Sequence, residues 1–455
     1  MWYTQRKQQG AVRVMNSLRF PVDDYRVLTF EYQNQRFSCR AWEGVPYCAS
    51  PVDDIQRLNL YAPECYFDGG SLNGYTAQTA PIFLPNLVGG YMPGPAGKPA
   101  LDENGQANTV LEAIMHGYVV ACAGIRGRSM ACGKAPALIV DMKAAIRYLR
   151  HNRGLIPGDT ERMITSGTSA GGALSALAGA SGNNPDYLPY LQAIGAADER
   201  DDVFAANCYC PIINLENADP AYEWQFCGER FFRSWHGEGV MDDAQDELSH
   251  ALRPLFAPYL NSLGLADENG CALALDADGT GTFLDHVCRR VMCSAQRAMD
   301  TQPGWTAPDY LHVEDGRITG IDFPAYVHAI TRMKTPPAFD ALDLSSPEND
   351  VFDNCHFTLF GAAHSQKSGG MADTEAVRLI NPMRLLDSPG LAGHWRIRHG
   401  SHDRDTSLAV PIMLESALRM RGCEVDFHLP WGLPHSGDYD LPELFRWMDA
   451  LCRRS

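Results

Sequence analysis

The segment 163–177, "MITSGTSAGGALSAL", decides how this chain is organised. A short apolar run ends at Gly167, a serine follows at Ser169, and small helix-forming residues begin directly after it. This order predicts a buried strand, a sharp turn and a helix. The turn fits the pattern G-x-S-x-G, in which the glycines let the backbone bend tightly around an accessible serine. The alternative is a plain glycine-rich turn without chemistry, because the pattern also occurs by chance.

Apolar segments with strand character alternate with helical segments along the rest of the chain. The helical segment 137–152 precedes the serine strand, and the amphipathic segment 407–422 ends at a glycine, a common helix stop. Alternation of this kind predicts an α/β protein with a mostly parallel central sheet. The other predicted strands are residues 57–63, 80–88, 117–124, 203–212, 394–400 and 423–430.

The regular alternation stops between Ile212 and Trp395, where the sequence is rich in aromatic residues and turns. Because strand patterns resume beyond it, we interpret this stretch as an insertion after the sixth strand that covers the site. The predicted core comprises residues 1–213 and 381–455, and the inserted cap or lid comprises residues 214–380. The alternative is a separate domain on a flexible tether.

Acidic residues and a histidine follow the last two predicted strands. Asp403 and Asp405 lie directly after the strand 394–400, and His435 lies after the strand 423–430. The order serine, acid, histidine at the ends of late strands is that of the α/β-hydrolase fold. We therefore predict a triad in which His435 takes the proton of Ser169, while Asp403 orients the imidazole and stabilises its charged form. Such a triad attacks ester carbonyls.

Two N–H groups are needed to stabilise the negative oxygen that forms in this attack. Ala170 is one predicted donor, because it follows the serine directly and begins the helix. The second is predicted in the glycine pair Gly89 and Gly90, in the loop that follows the third strand of such a sheet. The sequence leaves open which of the two glycines donates.

Composition excludes several classes of partner. The chain of 455 residues has 38 basic and 55 acidic residues, a net charge of −17 and no basic cluster, so we expect no nucleic-acid partner and no anionic membrane partner. No run approaches the ~18 consecutive apolar residues that span a membrane. Residues 1–20 lack the apolar core of a secretion signal, which predicts a cytoplasmic protein.

The fourteen cysteines are dispersed, and several lie in predicted strands. This predicts buried thiols in a reducing compartment rather than a disulfide framework. Cys208 and Cys210 lack the second ligand pair of a zinc site, and His399, His402 and Asp403 lack a further ligand set. We therefore expect no metal and no cofactor.

Four segments resemble the bacterial tannase family, tannin acyl hydrolases of the α/β-hydrolase fold. They are "GTSAGG" around Ser169, "RHGSHDRDTSLA" around Asp403, "LPWGLPHSGDYD" around His435 and "KTPPAFDALDLSSPEND" at residues 334–350. The resemblance extends over essentially the whole chain. It implies that the substrates are small galloyl or other phenolic esters and that hydrolysis releases gallate.

The resemblance also implies that Lys334, Glu348 and Asp405 bind the galloyl ring. Two carboxylates and one ammonium can bracket three adjacent phenolic hydroxyls with charge-assisted hydrogen bonds. The ordinary alternative for Lys334 and Glu348 is a surface ion pair. For Asp405 the alternative is an N-cap of the helix that begins near Ser407.

Three other functions fit parts of this pattern. A feruloyl or general aryl carboxylesterase would use the same triad, but it has no need for Lys334, Glu348 and Asp405 together. A serine peptidase of the prolyl type is compatible with the aromatic cap. A catalytically silent hydrolase fold that serves as a binding module is disfavoured by the intact set of Ser169, Asp403 and His435.

Overall fold

The computed structural model describes residues 17–234 and 237–453. Residues 1–16 lie outside the described residues. They form most of the segment 1–20, from which the absence of a secretion signal was predicted. Among the described residues, no helix combines the length and apolar character required to cross a bilayer.

Nine of the strands in the described chain form one central sheet with the spatial order β1-β2-β3-β5-β4-β6-β7-β12-β13. The three strands at one edge, β1, β2 and β3, pair antiparallel, and β3 also pairs antiparallel with β5. From β5 onward the six strands β5, β4, β6, β7, β12 and β13 pair parallel with one another. Two small hairpins, β8–β9 and β10–β11, lie outside this sheet. The strands are β1 Arg26–Tyr32, β2 Gln35–Pro46, β3 Arg57–Pro63, β4 Pro81–Pro85, β5 Val119–Ala123, β6 Asp159–Thr168, β7 Ala205–Tyr209, β8 Phe231–Ser234, β9 Gly237–Val240, β10 Leu311–Glu314, β11 Arg317–Ile321, β12 His394–Arg398 and β13 Glu424–His428.

Helices cover the parallel part of the sheet, and this is why its strands are apolar on both faces. All five residues of β5 and all five of β7 are buried. Helix α3 packs on β6 and β7, and α13 packs on β13. The helices are α1 Thr109–Met115, α2 Ala137–His151, α3 Ala170–Ala180, α4 Leu188–Ala193, α5 Ala218–Phe226, α6 Asp243–Leu252, α7 Phe256–Ser262, α8 Thr282–Thr301, α9 Phe323–Ile330, α10 Pro347–Val351, α11 Leu359–Ala363, α12 Thr374–Leu379, α13 Ala409–Met420 and α14 Leu441–Cys452.

The predicted fold class, an α/β-hydrolase fold with a mostly parallel central sheet, is confirmed. Every predicted strand overlaps an observed one, and the glycine stop of α13 is present as Gly422 with a φ of 78°. The insertion follows the strand predicted at residues 203–212, which is β7 in chain order. The N-terminal hairpin β1–β2 was not predicted from the sequence.

The segment 214–380 is mainly helical and contains α5 to α12 and both small hairpins. Most of its buried apolar side chains belong to the same continuous cluster as those of the sheet. Tyr222, Phe256 and Phe339 of this segment join Ile164 and Trp395 of the sheet in that cluster. The segment therefore shares a hydrophobic core with the sheet.

Candidate active site

Ser169 lies at a strained turn between β6 and α3. Its φ of 62° and ψ of −122° are unfavourable for a residue with a side chain, and such strain is found mainly at functional sites. The flanking glycines are required by close backbone contacts. A Cβ on Gly167 would lie 2.3 Å from the Gly171 carbonyl oxygen, and a Cβ on Gly171 would lie 2.7 Å from that of Val88. The turn therefore has the geometry of the predicted nucleophile elbow.

His435 and Asp403 form a close pair behind this turn. The Nδ1 atom of His435 is 2.7 Å from Oδ2 of Asp403, whose side chain is completely buried. The other oxygen of Asp403 accepts a hydrogen bond of 2.9 Å from the N–H of Asp405. Burial raises the pKa of Asp403, but the nearby imidazoles of His399 and His435 and its hydrogen bonds lower it further than burial raises it. Asp403 therefore stays ionised.

Asp403 also raises the pKa of His435. Burial lowers the pKa of His435, but the charge of Asp403 and the hydrogen bond to it raise this pKa more, so that the net shift is upward. His399 is also buried, with Nδ1 at 3.7 Å from Oδ2 of Asp403. Burial lowers the pKa of His399, and the Asp403 charge opposes this shift.

The Nε2 atom of His435 faces a thiol that the sequence analysis left without a function. It lies 3.9 Å from Sγ of Cys210, and this thiol also donates a hydrogen bond of 3.4 Å to the Ser436 carbonyl. Burial raises the pKa of Cys210, so the thiol remains protonated. Among the described residues, no hydrogen bond joins the Ser169 hydroxyl to His435.

The predicted oxyanion donors lie next to Ser169. Ala170 is the first residue of α3, whose initial N–H groups have no partner within the helix. Gly89 lines the same cavity as Ser169. The Gly90 carbonyl accepts a hydrogen bond of 2.8 Å from Nε of Arg128, and the Gly89 carbonyl accepts one of 2.9 Å from the Met92 N–H. Within the described part of the chain, neither glycine N–H donates to a protein acceptor.

The structure brings Lys334 and Asp405 together beside His435, and Glu348 lies within electrostatic reach of Lys334 and Asp405. The Nζ atom of Lys334 is 3.4 Å from Oδ1 of Asp405, and Oδ2 of Asp405 is 3.9 Å from Nδ1 of His435. Glu348 is 7% exposed, and burial raises its pKa. Lys334 and Arg128 lower this pKa and Asp405 raises it, so these charges lie within electrostatic reach of Glu348.

Asp405 does not cap a helix, so that alternative is wrong. Helix α13 begins at Ala409 with Leu408 at its N-cap, and the Leu408 side chain makes no capping hydrogen bond. The N–H of Ala409 is instead satisfied by the Ser407 hydroxyl at 3.2 Å. The Asp405 carboxylate therefore does not cap the backbone of α13, and it faces Lys334.

Tyr222, in α5, is a positioning residue that the sequence analysis missed. Its hydroxyl accepts hydrogen bonds of 3.0 Å from the N–H groups of both Met333 and Lys334. It also donates one of 2.9 Å to the carbonyl of Arg404. One buried hydroxyl thus fixes the backbone at Lys334 relative to the loop between Asp403 and Asp405. The aromatic content of this stretch was visible in the sequence, but the partners were not.

A second connection joins the glycine loop to α10, which carries Glu348. Arg128 and Lys134 both contact Asp350, at 3.0 Å from Nη1 and 2.6 Å from Nζ respectively. Lys134 also donates to the carbonyls of Arg128 and Asp350, at 2.6 and 2.9 Å. These partly buried ion pairs hold α10 against the core.

Two groups of described residues have the composition of metal ligands. One is Cys210, Asp403 and His435, which are already engaged with one another. The other contains His286, with Asp267 and Glu268. Both ring nitrogens of His286 face arginine nitrogens, at 3.3 and 3.4 Å, and this arrangement disfavours a cation. His399 and His402, considered above as ligands, belong to neither group.

A strained serine elbow on a mostly parallel sheet, with a buried histidine–carboxylate pair at the ends of late strands, is characteristic of hydrolases. A family model described as BD-FAE, an α/β-hydrolase family, matches residues 89–207. The esterase LipQ of Mycobacterium tuberculosis is 38% identical over 88 residues, which span 19% of this chain and 20% of LipQ. The fold and the site thus define a carboxylic ester hydrolase.

Comparison with solved structures makes the assignment more specific. Fusobacterium nucleatum tannase superimposes with a TM-score of 0.93 and is 42% identical, covering 96% of this chain and 100% of that one. A tannin acyl hydrolase solved in complex with ethyl gallate superimposes with a TM-score of 0.92 and is 46% identical, covering 96% and 99%. The chain belongs to the tannase family.

Proposed function

We propose that this protein hydrolyses galloyl esters and releases gallate, through an acyl-enzyme formed on Ser169. The observation that supports this substrate is that Asp405 lies close to both Lys334 and His435, with Glu348 within electrostatic reach of Lys334 and Asp405. Oδ1 of Asp405 is 3.4 Å from Lys334, and its Oδ2 is 3.9 Å from His435. An ester whose ring binds these three groups would have its carbonyl near the serine.

The three side chains suit a ring with adjacent hydroxyls. Asp405 and Glu348 can accept hydrogen bonds from phenolic O–H groups, and the Lys334 ammonium can donate to a phenolic oxygen. Lys334 also lies over the Phe339 ring, with Nζ at 4.1 Å from its centroid, so its position is defined. A related tannin acyl hydrolase was solved in complex with ethyl gallate, which is an ester of gallic acid.

Acylation uses the predicted triad. The Ser169 Oγ attacks the carbonyl carbon while His435 Nε2 accepts the hydroxyl proton, and Asp403 stabilises the resulting imidazolium. The N–H groups of Ala170 and Gly89 donate to the oxyanion. We favour Gly89 over Gly90 because Gly89 lines the cavity at Ser169. The Ser169–His435 hydrogen bond forms with substrate present, as catalytic hydrogen bonds commonly tighten in the complex.

Collapse of the tetrahedral intermediate completes the first half-reaction. The bond to the alcohol oxygen breaks, the alcohol takes the proton from His435, and the galloyl group remains esterified to Ser169. Water then attacks the acyl carbon as His435 takes one of its protons. The proton returns to Ser169 as the ester bond breaks, and this step releases gallate.

The segment 214–380 acts in this proposal as a cap over the core formed by residues 1–213 and 381–455. It contributes Lys334 and Glu348, while the core contributes the triad and Asp405. The shared hydrophobic core and the Tyr222 hydrogen bonds to Lys334 and Arg404 support this division of roles.

The test is the ring specificity of kcat/KM. Methyl gallate should exceed methyl benzoate by about a hundredfold or more, with methyl 3,4-dihydroxybenzoate between them, because an unsubstituted ring leaves buried polar groups unpaired. Lys334→Met and Glu348→Gln should each reduce this ratio. Lys367→Met is the matched control, because it removes an exposed lysine from the same inserted segment.

The second candidate is a feruloyl or general aryl carboxylesterase. It would use the same triad, and the similarity to LipQ is compatible with it. A methoxy group in place of a hydroxyl cannot donate to Glu348 or Asp405. If the unmodified enzyme prefers methyl ferulate, or shows no preference for the trihydroxy ring, this candidate replaces the galloyl esterase.

A further inference from the structure

His399 directly follows β12 and lies inside the protein beside the predicted triad. Its side chain is completely buried, and neither of its ring nitrogens makes a hydrogen bond to a described residue. Burying a polar group without a hydrogen bond costs free energy, so such groups are uncommon in native proteins. Within the described chain, the only carboxylate within 4 Å of this ring is that of Asp403. The function of the ring is therefore to be sought at Asp403.

The backbone holds the two side chains against each other. The N–H of Asp403 donates a hydrogen bond of 3.0 Å to the Gly400 carbonyl, and this turn brings the carboxylate back to the ring of His399. A Cβ on Gly400 would lie 2.1 Å from the carbonyl oxygen of Leu433. The turn therefore packs directly on the loop that carries His435.

Two imidazoles share one oxygen of Asp403. Its Oδ2 lies 2.7 Å from Nδ1 of His435 and 3.7 Å from Nδ1 of His399. An imidazole has at least one N–H in either charge state. On His399, a proton at Nδ1 faces this carboxylate, whereas a proton at Nε2 has no acceptor among the described residues. The form of His399 with a proton on Nδ1 is therefore favoured.

We infer that His399 is a positioning residue of the triad: its Nδ1–H is directed at Oδ2 of Asp403, holds this carboxylate in place and weakens its attraction for a proton on His435. This inference rests on the proposed function, in which the triad acts. The contact is longer than an ordinary hydrogen bond, so His399 acts on the charge of Asp403 and does not replace His435 as its partner. A base that holds its proton less tightly is neutral at lower pH and returns the proton more readily to the leaving alcohol.

The charges that act on His399 come from the two loops of the triad. Burial lowers the pKa of His399, Asp403 and Asp405 oppose this shift, and His435 adds to it. Asp405 also faces His435, with Oδ2 at 3.9 Å from Nδ1. A positive or hydrogen-bearing ring at His399 therefore opposes a positive charge on His435.

Two further titratable groups from other elements lie within electrostatic reach of Asp403. They are Cys210, which follows β7, and Tyr326 of α9. Burial raises the pKa of the Cys210 thiol and of the Tyr326 hydroxyl, so both stay protonated at neutral pH. A substitution at His399 leaves these neighbours in place, and its effect on His435 can be measured by itself.

The first experiment removes the N–H. His399→Leu places an apolar side chain in the buried site, and no hydrogen bond to a described residue is lost. Without the N–H, the charge of Asp403 acts more strongly on His435 and raises its pKa. The neutral imidazole is the base, so the acidic limb of kcat/KM for p-nitrophenyl acetate should move to higher pH by about half a unit or more. A merely structural role for His399 predicts a lower rate or stability with the limb unchanged.

Two variants that carry an amide locate the donor. His399→Asn places an N–H close to the position of Nδ1 and should leave the limb where it is in the unmodified enzyme. His399→Gln places its N–H near the position of Nε2 and should shift the limb as the leucine variant does. His402→Leu is the matched control, because His402 lies in the same loop and its ring packs against Trp431, with 5.6 Å between the centroids. This control should leave the limb in place.

A ¹H NMR titration measures the ionisation of His435 without turnover. The proton between Nδ1 of His435 and Asp403 gives a low-field signal, identified by its absence in Asp403→Asn. The midpoint of its titration should rise by about half a unit or more in His399→Leu and stay in place in His399→Asn. If the leucine variant does not fold, His399→Gln decides in its place. A midpoint equal to that of the unmodified enzyme overturns the inference.

The inference and the proposed function fail separately. If Ser169→Ala keeps its activity or methyl gallate is not preferred, the proposed function fails, and the NMR midpoints still decide the role of His399. If methyl gallate is preferred and the midpoints are equal, the inference about His399 fails alone.

Discussion

Arg128 and Asp350 form an ion pair of 3.0 Å that connects the glycine loop to the helix carrying Glu348. The same guanidinium donates from Nε to the carbonyl of Gly90 at 2.8 Å. One side chain thus contacts both the predicted oxyanion loop and the helix that holds a predicted ring-binding carboxylate. Its two contacts should have separable effects on catalysis.

Arg128→Met should lower kcat/KM about tenfold for galloyl and acetyl esters alike, because the loop at Gly90 loses its donor. Asp350→Asn should act mainly on galloyl esters, because it releases the helix of Glu348 but leaves Arg128 to hold Gly90. Steady-state kinetics with methyl gallate and p-nitrophenyl acetate measure both effects. Arg233→Met removes an exposed ion pair in β8 and is the control. Identical substrate profiles for Arg128→Met and Asp350→Asn would contradict this division.

Ser169→Ala should remove nearly all turnover, leaving only what binding and the oxyanion donors supply. A fluorophosphonate probe followed by peptide mass spectrometry should label Ser169 in the unmodified protein and nothing in the variant. Ser175→Ala is the matched control, because Ser175 is a buried serine on the helix that follows Ser169, and its hydroxyl has no partner within the described chain. Labelling at another residue would refute the assignment of the nucleophile.

The local parts of the site were predictable from sequence because neighbouring residues specify them. The elbow at Ser169 follows from glycines that avoid contacts of 2.3 to 2.7 Å, and His435 follows from its place after a strand. The Tyr222 hydroxyl and Lys334 are 112 residues apart, and Arg128 and Asp350 are 222 apart. No spacing rule connects such pairs, because the folding of the inserted segment decides where they meet.

The helix-cap interpretation of Asp405 failed for a similar reason. An N-cap directly precedes the first helical residue, but α13 begins at Ala409, four positions after Asp405. Gln225 of α5 instead accepts a hydrogen bond of 2.8 Å from the Leu408 N–H. A side chain from the inserted segment therefore satisfies the start of α13. Asp405 can therefore pair with Lys334. Only the tertiary structure shows that Gln225, and not Asp405, accepts the hydrogen bond at the start of α13.

The two aspartates of "DRD" should have different effects on a simple ester. Asp403→Asn should lower kcat for p-nitrophenyl acetate by about a thousandfold or more, because the imidazole loses its hydrogen-bonded carboxylate at 2.7 Å. Asp405→Asn should lower kcat/KM mainly for methyl gallate, because Asp405 faces Lys334. Equal losses for the two variants on p-nitrophenyl acetate would show that the roles are not divided in this way.

The pH dependence of kcat/KM should report the influence of Asp403 on His435. The neutral imidazole is the base, so activity rises with pH as His435 loses its proton and falls as pH decreases through its pKa. Burial lowers this pKa, but Asp403 raises it more, so the acidic limb should lie above the ordinary value of 6.5. Asp403→Asn removes the negative charge and should move the residual activity's acidic limb to lower pH by about one unit or more. The ester p-nitrophenyl acetate does not itself titrate, so its initial rates from pH 5 to 10 give the profile once they are corrected for spontaneous hydrolysis and for the ionisation of the released p-nitrophenol. If the acidic limb of the pH profile lies at the same pH in Asp403→Asn as in the unmodified enzyme, then a group other than the His435–Asp403 pair controls the rate.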